Sequence, residues 1–171
     1  MQKTNLENKK NKLSGFMTFI FVWYLLGAVS HGMGLINSAF SLIIMLIASP
    51  RLGIVFLGLI GVSTIMLVLL IIYLIKVYGM KSDLKKWTDI YHLISIINSS
   101  VSLIVLLIVG PVLLASIAEL NVTNFTILIG TFFSIMILID TGFWLGIRYH
   151  LARLEREGKA KFTPGLFNKK A

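Results

Sequence analysis

Four stretches of this chain are almost free of charge and long enough to cross a bilayer, and that leaves it few ways to fold. Leu13 to Pro50 holds no Asp, Glu, Lys or Arg over 38 residues, Leu52 to Ile75 none over 24, and Ile90 to Ala118 none over 29. Leu120 to Ile147 holds a single acid, Asp140. A hydrocarbon core of ~30 Å needs about 20 helical residues at ~1.5 Å each, so every stretch suffices for a span. The reading is an all-α polytopic membrane protein, a four-transmembrane-helix bundle. Its first helix is long, and a short cytoplasmic helical stem follows the last.

The expected boundaries are a basic tail over 1–14, a membrane domain over 15–149 with spans near 15–48, 53–76, 90–117 and 125–148, and a second basic tail over 150–171. Composition agrees. The chain is 57% hydrophobic and 13% charged, against roughly 45 to 50% and about 25% in soluble domains. With no cysteine, disulfide frameworks, thiolate metal sites and cysteine nucleophiles are excluded.

Lys and Arg retained in short connections stay on the cytoplasmic side. Of the 16 bases, 15 lie in the N-terminal tail, in the loop from Lys76 to Lys86, or after Ile147, and only Arg51 lies in a connection on the other side. Both termini are therefore expected to be cytoplasmic, in the plasma (cytoplasmic) membrane. Tyr73, Tyr78, Trp87, Tyr91, Trp144 and Tyr149 fall near the same boundary, where amphipathic rings favour headgroups.

The first stretch is long enough to hold two short spans or a signal peptide cleaved after Ser30. A fifth span would put one basic segment outside, and apolar sequence continues well past Ser30. Gly27, His31, Gly34, Ser38 and Ser41 recur at spacings of four and three, which keeps them on one face of a single helix. A break between Gly32 and Asn37 is the alternative.

Helices in lipid associate through small residues and interhelical hydrogen bonds. Gly27, Gly34, Ser38, Gly58, Gly61, Gly142 and Gly146 are accordingly the expected packing positions, the last two as a GxxxG. Asp140 is the most informative residue, because a carboxylate within a span costs ~2.5 to 3.5 kcal/mol on insertion scales and must be paired, hydrated or protonated. Counting helical rise from the charge-defined ends puts Asp140, Asn98, Ser99 and Tyr24 at similar depth. That predicts a buried polar layer, serving as a proton or cation relay or as a packing site. His31 sits in the other half as a candidate interior histidine.

Catalytic and metal motifs are missing. His92, His150 and Asp89 lie near one boundary, but no HExxH, GxSxG, Walker loop or dinucleotide fingerprint accompanies them. No enzyme activity, cofactor or metal is expected. The glycosylation-type triplets at Asn121 and Asn124 read as solvated loop residues.

The helix after Arg148 is expected to continue to Gly158. Beyond it Lys159, Lys161, Lys169 and Lys170 alternate with Phe162, Leu166 and Phe167, a pattern suited to anionic headgroups at the cytoplasmic face. A net charge of +9 would also attract nucleic acid, but bases flanking spans favour lipid. The functional expectation is a non-catalytic accessory, regulatory or immunity-like protein working through a homo-oligomer or a partner membrane protein. A small oligomeric transporter or channel using Asp140 and the polar face of span three is the first alternative, and a holin-like permeabilising protein the second.

Overall fold

A computed structural model describes residues 14–115 and 122–167. The N-terminal basic tail, Asn121, and the lysines Lys169 and Lys170 lie outside the described residues. Four helices follow in order: α1 Gly15–Ala48, α2 Pro50–Tyr78, α3 Leu84–Ala115 and α4 Val122–Arg156. There is no strand among the described residues. All four helices are long and apolar enough to cross a membrane. Large apolar side chains such as Phe40, Ile47, Ile108 and Leu138 point outward along them, the arrangement expected where the surrounding solvent is hydrocarbon.

The chain divides into two compact units, Met1–Leu84 and Lys85–Ala171. In the first, α1 runs unbroken through Gly32 to Asn37 and packs on α2. Ser14 starts it as an N-cap, its hydroxyl accepting the Met17 N–H at 3.3 Å, which supplies one of the partners a first turn lacks. Ser49 alone separates the helices, and Pro50 opens α2. Proline suits this first position because its φ is preset and its missing N–H has no helical role there. That is why α2 begins at Pro50, three residues ahead of the expected 53.

So short a turn presses the two helices together. A Cβ on Gly53 would lie 3.0 Å from the Leu46 Cα and 2.9 Å from its Cγ, so glycine is required by close approach. Farther along, the Tyr24 and Tyr73 rings meet edge to face at 5.5 Å, and Phe21 meets Tyr78 at 5.6 Å. Met17, Ile20 and Tyr24 on α1, and Leu70, Tyr73, Leu74 and Val77 on α2, are buried. Their three- and four-residue spacing gives each helix one buried stripe. α2 ends in a Schellman turn, Lys81 N–H to Lys76 O at 3.2 Å and Met80 N–H to Val77 O at 3.1 Å, with Met80 left-handed at φ 43.

α3 starts at Leu84, where the first unit ends and six residues before the expected 90, and so takes Lys85, Lys86 and Asp89 into the helix. α4 continues beyond Arg148 to Arg156. Its Schellman turn pairs Lys159 N–H with Leu154 O and Gly158 N–H with Glu155 O, both at 3.0 Å. Here Gly158 takes the left-handed position at φ +65, the conformation glycine adopts without Cβ strain. The chain then turns back, and Phe162 is buried.

Candidate functional site

Lys85, Asp89 and His92 are spaced four and three apart on α3, and Asp140, Trp144 and Arg148 four apart on α4, so each set shares a helical face. The faces meet in antiparallel order. Lys85 Nζ donates to Glu155 Oε2 at 2.8 Å, Trp144 Nε1 donates to Asp89 Oδ1 at 2.9 Å, and His92 Nδ1 lies 2.7 Å from Asp140 Oδ1. Arg148 Nε stands 3.5 Å from Asp89 Oδ1. Three rungs of a ladder thus run from the ends of the helices inward.

Asp89 is the centre of this arrangement. Its side chain is fully buried, and an ionised carboxylate taken out of water costs several kcal/mol unless partners replace its hydration. Trp144 and Arg148 serve one oxygen, and the other accepts the Leu166 backbone N–H at 2.8 Å. Glu155 is used twice as well: one oxygen takes Lys85, and the other accepts the Phe162 N–H at 3.3 Å. Both acids therefore hold the segment after α4 against the helix ends.

That segment fits closely. A Cβ on Gly165 would collide with Asp89 Oδ2 and lie 3.5 Å from Lys85 Cγ. Phe167 meets Trp144 at 5.6 Å, and the Arg148 guanidinium lies over both rings, 5.9 and 5.7 Å from their centroids, within cation–π range. On the outer side Glu157 receives Arg153 and Lys159, each at 2.6 Å. The hydrogen bond from Lys159, followed by that from Arg153, brings its carboxyl down from 4.5 to about 2.

Of the expected polar layer, Tyr24 lies in the first unit, and Asn98, Ser99 and Asp140 lie in the second. The partner at 2.7 Å from Asp140 is His92. Asn98 and Ser99 are half-buried on α3, roughly two turns beyond His92. Tyr24 makes its ring contact with Tyr73 inside the hairpin. His31 Nε2 lies 3.1 Å from the Ser63 carbonyl, beside a groove of about 400 Å³ that Gly27, Gly34 and Ser38 also line.

A Cβ at Gly27, Gly34, Gly58, Gly61 or Gly142 would meet nothing within 4 Å, and Gly146 is half-buried. Among the described glycines, a Cβ would come within 3.0 Å of another atom at Gly53, Gly79 and Gly165. Lys159 and Lys161 are exposed. Among the described residues, no group of three or more His, Cys, Asp or Glu could hold a metal ion.

His92 and Asp89 escaped the sequence reading of the ladder because depth was counted from Ile90. Counted from Leu84, His92 lies eight residues into α3, about two turns inside the helix and not at its edge. No known protein family matches the chain, and neither a curated protein nor a solved structure is similar to it.

Proposed function

We propose that this is a non-catalytic multi-pass protein of the cytoplasmic membrane, its four helices bundled and both termini cytoplasmic, acting as an accessory, regulatory or immunity-like component through a membrane partner. The orientation is supported by the 15 bases that share one side. The observation that carries the role is the α3–α4 ladder: Lys85, Asp89, His92, Asp140 and Glu155 are engaged with one another and with the chain's own tail. Charges committed in this way fix helix ends and shape, leaving the apolar helix faces as the surface offered to other membrane helices. Lys159 and Lys161, with Lys169 and Lys170 beyond the described residues, attract anionic headgroups at the cytoplasmic face. Crosslinking in native membranes, mild detergent extraction and mass spectrometry should recover a stoichiometric membrane partner or a second copy. A monomer with no companion contradicts the reading.

One observation favours a second reading, a small oligomeric transporter. The His92–Asp140 contact at 2.7 Å sets an imidazole beside an acid within a span, a pair of groups suited to passing a proton or holding a cation. In that case proteoliposomes would carry a proton or cation flux abolished by Asp140→Asn, whereas the first reading predicts no flux in either protein.

A further inference from the structure

We infer that residues 157–167 form a strap, pinned at Asp89 and Glu155, whose outer side binds the headgroups of anionic phospholipid. The inference rests on the membrane reading above and adds to it the part that holds the lysines in place. The strap has two sides. Inward, Phe162 and Gly165 are buried, and the backbone donors of Phe162 and Leu166 end on Glu155 and Asp89. Outward, Lys159 and Lys161 are exposed, and Leu166 and Phe167 are about half exposed at 49% and 52%.

Charge points the same way. Lys86, Arg153, Arg156, Lys159 and Lys161 are exposed on this unit, and Glu157 is its one exposed acid among the described residues. Asp89, Asp140 and Glu155 are engaged by the ladder, so the exposed charge among the described residues of this unit is mostly basic, with exposed Leu166 and Phe167 in the same strap as Lys159 and Lys161. A basic face carrying exposed Leu and Phe at the end of a spanning helix matches the interface of an anionic bilayer, where each base near the surface contributes ~1 kcal/mol and the apolar side chains enter the acyl boundary. Pinning supplies register: a strap already held needs little ordering when it meets lipid.

The absence of cysteine makes a single labelled site simple to install. Leu166→Cys carrying a nitroxide is reconstituted in phosphatidylcholine vesicles with and without 30% phosphatidylglycerol. The phosphatidylglycerol retained per protein on extraction is measured alongside label mobility and depth. We expect an immobile label at headgroup depth and phosphatidylglycerol enriched around the protein. Gly165→Ala changes no charge, yet should free the label and lower the enrichment roughly fivefold, equivalent to losing about one base from the surface. Asp89→Asn removes a negative charge and should nonetheless lower the enrichment, because the amide cannot accept from both Trp144 and Leu166.

A rise in enrichment for Asp89→Asn, with helical content intact, would show that charge alone governs lipid contact and would overturn the inference. Unchanged enrichment in Gly165→Ala overturns the pinned strap but leaves the lysine–lipid reading standing. Lys159→Gln with Lys161→Gln behaving like the parent protein removes that underlying reading as well.

Discussion

The α1–α2 hairpin and the α3–α4 pair are both built from helices long enough to span a membrane, the second pair being less apolar, and they are held by different means. The hairpin is joined by one residue, Ser49, and closed by contact, with Leu46 against Gly53 and Tyr24 against Tyr73. His31 adds a polar contact to the Ser63 carbonyl at 3.1 Å, with no ion pair between the two helices among the described residues. The α3–α4 pair is tied at one end by Lys85–Glu155, Asp89–Trp144 and His92–Asp140. The difference is one of reach. Small residues and rings at a tight turn hold backbones close, whereas long charged side chains can link helices across a wider gap, provided every buried charge finds its partner.

If that contrast is right, single substitutions in the two units should differ in size. Asp89→Ala should have the largest effect, since it strips the acceptor from Trp144, Arg148 and Leu166 together. Breaking a buried charged network costs about 3 to 5 kcal/mol, readable as a lowered unfolding midpoint in a denaturant titration of the reconstituted protein. A loss below about 1 kcal/mol would mean that the ladder is ornamental. Gly53→Ala tests the hairpin. Helix propensity favours alanine by about 1 kcal/mol, but overpacking against the Leu46 backbone costs about 1 to 3, so net destabilisation is expected. A stabilised Gly53→Ala would show that the turn is pliable.

His31→Ala should be milder, about 1 kcal/mol, because it removes a single contact to the Ser63 carbonyl. The smallest effect belongs to Glu157, on the exposed edge. Its carboxyl is depressed to about 2 by Lys159 and Arg153, so its contribution is complete above the ordinary carboxylate range, near 4.5, and lost as pH falls through 2. Following the Glu157 carboxyl carbon by NMR should give a midpoint near 2. A midpoint near 4.5 would indicate that those two bases do not hold it.

Much of the helical layout was legible because four apolar stretches interrupted by charge leave little choice of element. Helix starts were less so, for two identifiable reasons. Pro50 belongs to α2 as its first residue, although proline reads as a boundary. Lys85, Lys86 and Asp89 read as loop because they are charged, yet they belong to α3, with Lys85 and Asp89 buried in pairs.

The sequence reading set Asp140 level with Asn98 and Ser99, whereas the contact at 2.7 Å is with His92, about two turns nearer the start of α3. Asp140 itself stood out from sequence, since an acid within an apolar stretch demands a partner. The return of the tail to Asp89 left almost no trace, because it depends on backbone donors at Phe162 and Leu166 and on the missing side chain of Gly165. Backbone groups are the same at every residue, so pattern cannot single them out.

The claim that the α3–α4 charges are spent on one another is tested most directly by a double-mutant cycle of His92→Ala and Asp140→Ala, with unfolding of the reconstituted protein as the readout. Residues in contact couple by about 0.5 to 3 kcal/mol. The ladder predicts a coupling above about 1 kcal/mol, with the double variant losing far less than the two single losses together. Additive losses would show that His92 and Asp140 do not act as a pair, and would contradict the account.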